Sequence, residues 1–342
     1  MEGQLGLYSA VSLQWVLRPK YEQVRVLLKI LQIKEKCLPK NYCKRFRYRE
    51  AIGIKVDEIP LVGETKMATE LTVNLGGKSA NSVVQASLLG QVSTAVIGKI
   101  GSDIYGREQL ENLKSFGVNT DHVKVSHVEP TSMAFVTVTK SGSNNIVLAS
   151  GADKLLSVSD IEECTEIISK SKVLISNLEV PIDSCMEALR IAHKYHVKTI
   201  LVPAPVPKGF TADMLPVVDI ICPNEVEAGQ MLDMNIDSIE MAKKAIEKFF
   251  ELGKIRWPII TMGDKGAVVG IKPGESRLIE APKVDAVDTT GAGDSFVGSL
   301  AYQMVKDFSL NIEAMVSRAV FVASLSTLKR GTRSSYISGK EL

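Results

Sequence analysis

A chain of 342 residues with 45% hydrophobic and 23% charged side chains can bury a large core, which excludes disorder over most of its length. The net charge of +2 hides an asymmetry: residues 1–50 hold eleven Lys or Arg against four Asp or Glu, a charge of +7, leaving −5 for the rest. No apolar run approaches the roughly 18–20 residues of a membrane span, the start lacks a signal-peptide pattern, and five cysteines without a CxxC pair fit a reducing compartment.

The chain is therefore expected in the cytoplasm or nucleus, with no membrane partner. The basic head, residues 1–54, contains Glu22 and Glu35 and no continuous basic run, so nucleic acid is not expected as a partner either. Within the head, Val24–Ile33 is the one apolar run, readable as a strand or an amphipathic helix, and Cys43–Arg49 is too basic for a buried parallel strand.

From about residue 55 the pattern changes. Short β-branched runs predict strands at Ser93–Ile97, Ala134–Val138, Asn145–Ala149, Val173–Ile175, Thr199–Val202, Ile220–Cys222 and Pro258–Thr261. Helical periodicity predicts helices at Asn81–Leu89, Gly106–Phe116, Ser159–Ile168, Ile182–Lys194 and Ser238–Phe250. Alternation of the two predicts one α/β domain over 55–342, three layers (α/β/α) around a mostly parallel sheet. Glu70–Asn74 and Phe135–Ala149 instead alternate polar and apolar residues, the latter turning at Ser141–Asn144, and predict a small antiparallel lid over about 59–75 and 131–150.

The strongest chemical signal is Asp288-Thr289-Thr290-Gly291-Ala292-Gly293-Asp294 leading into a helix. Two glycines permit a tight turn, and the amides of Gly291, Ala292 and Gly293 at a helix N-terminus make an anion hole. Phosphoryl transfer needs little more than such a hole and a carboxylate near the acceptor hydroxyl, so Asp294 is the candidate base, held ionised by the helix dipole. A second Gly-rich turn, Gly76-Gly77-Lys78-Ser79-Ala80-Asn81, follows a predicted strand and opens a helix. Taken alone it reads as an ordinary turn, one whose glycines leave the backbone open to close approach, with Lys78 and Asn81 able to bond hydroxyls. No Walker A sequence is present.

These two runs, in this order and about two hundred residues apart, resemble the signatures of the ribokinase, or phosphofructokinase-B-type, sugar-kinase family. The resemblance implies a ribokinase-like fold and transfer of the γ-phosphoryl of ATP to the 5-hydroxyl of ribose. Another sugar or nucleoside kinase, or an impaired ribokinase-like binding protein, are the alternatives. It implies Gly77, Lys78, Ser79, Asn81, Glu179 and Asp294 around the sugar, the Glu179 match coming from Asn177-Leu178-Glu179. On the ATP side it implies Asn224, the loop Thr261, Met262, Gly263, Asp264, Lys265 and Gly266, and then Gly293 and Asp294. Glu227 would hold Mg²⁺ through water, and Asp288, Thr290, Ser326, Lys329, Gly331 and Ser335 would surround an activating K⁺, Lys329 through its carbonyl. A homodimer through the lid is implied as well.

The chain departs from that family pattern at three places. Val320 stands where an Asn near the adenine is frequent, and Ser79 replaces a frequent glycine. Counting nine residues back from Pro60, where ribokinases carry a sugar-gripping Asp, reaches Ala51, with Glu50 beside it. Impaired sugar binding is therefore expected. His193 and His196, at i and i+3, read as a solvated helix face.

Overall fold

The computed structural model describes residues 13–19, 50–139, 144–208, 215–253, 255–307 and 310–342. Its frame is a nine-stranded sheet. The strands are β1 (Leu13–Pro19), β4 (Val92–Gly101), β5 (Asn119–Ser126), β8 (Val173–Asn177), β9 (Lys198–Val202), β10 (Ile220–Ile221), β11 (Trp257–Thr261), β12 (Ala267–Lys272) and β13 (Glu275–Ile279). Their spatial order is β13-β12-β11-β10-β9-β8-β1-β4-β5. Following the pairings across the sheet, seven strands point one way, and only β1 and β12 run against them. The sheet is thus mostly parallel, as expected.

Strand side chains alternate between the two faces, and each face builds its own core. Val173, Ile175, Ile220 and Ile259 pack toward α1 (Lys78–Leu88), α2 (Ile104–Ser115), α8 (Ala292–Lys306) and α9 (Ile312–Ser326). Their neighbours Leu174, Ile221 and Ile260 pack on the other face. There they meet α3 (Val158–Glu162), α4 (Thr165–Ser169), α5 (Ile182–Lys194), α6 (Glu225–Leu232) and α7 (Ile239–Leu252). The helix expected over Ser159–Ile168 is two short ones meeting at Cys164. Strands β5, β12 and β13 were not anticipated. The polar β5 is an edge strand, and β12–β13 is a hairpin whose apolar run is interrupted by Gly270.

The lid is a second, four-stranded sheet built from β2 (Glu50–Val56), β3 (Glu70–Asn74), β6 (Met133–Thr139) and β7 (Asn144–Ala149), ordered β3-β2-β6-β7. It begins at Glu50, inside the stretch grouped with the basic head, and β2 runs parallel to β6 rather than antiparallel. The lid roots are clasped. Thr131 donates from its backbone N–H to Asp103 Oδ2 and from its hydroxyl to Asp103 Oδ1, both at 2.7 Å, while Ala152 N–H donates to Pro130 O at 2.7 Å.

The slot between β4 and β8 is filled by Leu13–Pro19, antiparallel to both neighbours, from a stretch ahead of the apolar run considered above. Val24–Ile33 and Cys43–Arg49 lie outside the described residues, as do Cys37, Cys43 and most of the expected turn at Ser141–Asn144. Among the described residues no helix is long and apolar enough to cross a membrane.

Candidate active site

The DTTGAGD run forms the turn into α8. Gly291 is the N-cap at φ 78°, a left-handed conformation, and a Cβ there would lie 2.3 Å from Thr332 Cγ2, so only glycine fits. Asp294 sits in the first turn of α8 and accepts a hydrogen bond from Asn81 Nδ2 at 2.8 Å. Helices α1 and α8 meet closely enough to allow this because Gly298 lies against Ser82 O, where a Cβ would come within 2.0 Å. Ser295 Oγ also donates to Gln85 Oε1 at 2.9 Å across the same contact.

Two expectations change here. The Ala292 N–H donates to Thr289 O at 3.2 Å, closing the turn, so the amides expected to serve an anion reduce to those flanking it. Of these, Gly293 backs onto open space. Asp294 was expected to be held ionised by the helix dipole. Instead burial raises its pKa, outweighing the opposing pull of Lys78, Asn81 and Arg333, with Glu227 adding to the rise. A raised pKa makes it a better proton acceptor.

The sugar-loop candidates converge on the same place. Gly77, at φ 101°, is the N-cap of α1, and Lys78 follows it, half-buried. Burial works against the Lys78 charge, yet Asp294, Glu179 and Glu227 together raise its pKa. Glu179, just past β8, is pushed from 4.5 to about 7, chiefly by burial, with Lys78 opposing and Asp294 adding to the rise. Its N–H donates to Asn177 Oδ1 at 3.1 Å, and Asn177 Nδ2 donates to Ser79 Oγ at 2.7 Å and to Glu179 Oε2 at 3.2 Å. The Ser79 side chain therefore faces Asn177 and is 2% exposed, so it orients Glu179 rather than meeting a sugar directly.

On the other flank, Asn224 and Glu227 close a reciprocal capping box at the start of α6: Glu227 N–H donates to Asn224 Oδ1 at 2.7 Å and Asn224 N–H to Glu227 Oε2 at 2.9 Å. Asn224 bridges Thr261 in parallel register, and Thr261 N–H donates to Pro223 O at 3.0 Å, so this turn and the 261–266 loop are neighbours. Gly263 and Gly266 take φ 58° and 97°, shaping a loop that leaves Asp264 and Lys265 exposed. Met262 is 4% exposed and belongs to the core below, so only its backbone reaches the loop surface. Val320 is likewise packed in the core, 5% exposed, which removes it from any polar contact with a base.

Asp288 is held as a loop staple: Thr290 N–H donates to its Oδ1 and Gly331 N–H to its Oδ2, each at 2.9 Å. Ser326 Oγ and Ser335 Oγ donate to Ala323 O and Thr332 O, both at 2.7 Å. The Lys329 ammonium pairs with Glu341 at 3.1 Å. Among the described residues, no group of three or more His, Cys, Asp or Glu is placed to hold a metal ion. His193 and His196 are both exposed.

Residues 49–338 match the model of the pfkB family carbohydrate kinases. The chain belongs to that family. The family resemblance extends to curated relatives: ribokinase of Mus musculus is 35% identical over 286 residues, covering 83% of this chain and 88% of the relative. Deoxyribokinase of Salmonella typhi is 32% identical over 282 residues, covering 82% and 90%. Among solved structures, Arabidopsis thaliana ribokinase complexed with ribose and ATP superposes with a TM-score of 0.76 at 27% identity, covering 85% of this chain and 93% of that one. Ribokinase from Thermotoga maritima gives 0.73 at 30% identity, with the same coverage.

One element of this pfkB-family site was absent from the sequence reading. Arg333, 4% exposed, donates from Nε to Asn81 Oδ1 at 2.9 Å and from Nη1 to Gln109 Oε1 at 3.1 Å and Asn112 Oδ1 at 2.6 Å. Its Nη2 donates to Gly76 O at 2.7 Å. Its neighbours in the chain, Gly-Thr before and Ser-Ser after, read as a surface turn, and nothing in that run signals a buried cation.

Proposed function

We propose that this carbohydrate kinase transfers the γ-phosphoryl of ATP to the 5-hydroxyl of ribose. The observation that carries the reading is Asp294: a carboxylate of raised basicity, oriented by Asn81 at a helix N-terminus, with the Gly76–Lys78 loop on one side and the Asn224–Glu227 and Thr261–Gly266 turns on the other. Lys78, Asn81 and Glu179 hold the sugar, with Gly77 letting it approach the backbone. ATP lies along the turn at Asn224 and the loop from Thr261 to Gly266. The hydroxyl proton passes to Asp294, the oxygen forms a bond to the γ-phosphorus, and the bond to the bridging oxygen breaks with its electrons leaving on ADP. Amides of Gly291 and Gly293 face the charge on the transferring group.

Glu227 would hold Mg²⁺ through water, and the ion would offset the charge of the phosphates. Asp288, with carbonyls of Thr290, Ser326, Lys329, Gly331 and Ser335, is a set of one carboxylate plus neutral oxygens, suited to a large monovalent cation such as K⁺. Pairing through the lid supports a homodimer reading, because Leu71, Val147 and Leu148 are 64%, 63% and 52% exposed on it. The described cysteines, Cys164, Cys185 and Cys222, are free and buried, and burial raises their pKa values, which agrees with a cytoplasmic setting.

The test is ADP release with ribose, 2-deoxyribose, fructose and nucleosides, in potassium and in sodium-only buffer. The expected result is turnover led by ribose and faster in potassium. Turnover led by 2-deoxyribose or a nucleoside would replace the substrate, and equal rates in both buffers would remove the cation site. A second reading is a chain that grips its sugar poorly, and the observation favouring it is Ala51, a residue with no hydroxyl acceptor, within lid strand β2.

A further inference from the structure

Arg333 and Asn81 together decide how Asp294 is presented. An Asn amide has an accepting end and a donating end, and which one faces a neighbour depends on what the neighbour can offer. Arginine only donates. With Arg333 Nε on Asn81 Oδ1, the Asn81 NH₂ has one remaining direction, toward Asp294 Oδ2 at 2.8 Å. A reversed amide would set its oxygen against the carboxylate and its NH₂ against a guanidinium, two repulsive contacts at once. The same guanidinium fixes the first residue of the sugar loop: Gly76 O accepts from Arg333 Nη2 at 2.7 Å and from Gln109 Nε2 at 2.8 Å. That carbonyl precedes Gly77, whose φ of 101° sets the start of α1. Arg333 also lies two residues after Gly331, whose N–H donates to Asp288.

We infer that Arg333 is a positioning residue for phosphoryl transfer: from beneath the site it locks the Gly76–Gly77 loop and the Asn81 amide, and so aims Asp294 at the acceptor hydroxyl. Its bonds run to Gly76, Asn81, Gln109 and Asn112, around the start of the sugar loop, so its effect falls on the sugar side. A planar fork reaching four acceptors on three elements cannot be replaced by the single ammonium of lysine.

The test compares the full-length chain with Arg333→Gln and Arg333→Lys. Glutamine keeps donors but can also accept, so it no longer dictates the Asn81 orientation. Backbone hydrogen exchange without ligand is read first, because it is independent of which sugar is the substrate. Peptides covering residues 76–82 should exchange at least about tenfold faster in both variants, while those of β9 stay unchanged. Unchanged exchange at 76–82, or equal acceleration throughout the chain, overturns the inference.

The kinetic arm rests on the ribose-kinase reading. Both variants should raise the ribose KM and lower kcat, together at least about tenfold in kcat/KM, with the ATP KM within about twofold. Because Asn81 is the relay, Arg333→Gln in an Asn81→Ala background should cost far less in kcat than it does alone. Parental kinetics in Arg333→Lys, a parallel loss of ATP affinity, or additive kcat effects would each overturn the proposal. If the unmodified chain neither binds nor phosphorylates ribose, the substrate reading falls, and the exchange data still decide the role of Arg333.

Discussion

Replacing Lys78 with methionine should move the pH at which the chain loses its grip on ribose. Glu179 titrates near pH 7 because burial raises its pKa further than Lys78 lowers it. Above that pH the carboxylate accepts a sugar hydroxyl as an ion, and below it as a neutral acid. Charged hydrogen bonds contribute about 1.5–3 kcal/mol and neutral ones about 0.5–1.5. The difference, about 1–1.5 kcal/mol, is roughly a five- to tenfold loss of affinity as pH falls through 7. The Lys78 charge is the main influence holding the Glu179 pKa down, so removing it should shift the midpoint upward. Ribose titration calorimetry from pH 5.5 to 9.5, without ATP, reads the midpoint directly. Loss of any bond from Lys78 itself to the sugar lowers affinity at every pH and leaves the midpoint alone. A flat profile in the unmodified chain, or a midpoint unmoved by Lys78→Met, would refute the reasoning.

Asp294→Asn should reduce kcat at least about 100-fold with ATP affinity retained, since the base is lost while the turn survives; single-turnover assays with nucleotide titration check both. Gly298→Ala forces a methyl against Ser82 O and should separate α1 from α8, costing about 1–3 kcal/mol in a denaturant titration. A stability equal to the parent would show that the helices have room to spare. Ala51→Asp should improve ribose affinity by about ten- to a hundredfold if β2 carries the missing acceptor, and no gain in calorimetry would mean that the pocket is already complete. Sedimentation at micromolar concentration should show a dimer that Leu71→Lys weakens, and a monomer throughout would remove the lid pairing.

Runs with strong local signatures were legible before any coordinates. The DTTGAGD turn, the Gly-Gly turn into α1 and the Asn224–Glu227 helix start each declare themselves within a few residues, because glycine conformations and caps are local physics. What escaped depends on contacts distant in sequence. Arg333 meets Asn81 across 252 residues, and only the folded chain makes that stretch an interior. Asp294 shows the same limit: the helix dipole is visible locally, whereas the burial that raises its pKa is not. Met262 matched the family's nucleotide loop in position and Val320 departed from the pattern near the adenine, yet the alternation continued from β11 and the packing of α9 turned both inward.

The placement of β1 has a consequence for how the molecule comes together. Among the described residues, the seven of Leu13–Pro19 are the only strand joining the β4–β5 pair to the six strands from β8 to β13. A chain shortened past residue 19 would present two bare strand edges facing each other in the middle of the sheet, each a template for pairing with another molecule. Parallel neighbours with helices between them are assembled from segments far apart in the chain, and β1 must close on two strands, β4 and β8, that both lie far from it in sequence. The seam around β1 is thus where an immature molecule is most exposed to self-association, and where a short added peptide of matching register would find a place to dock.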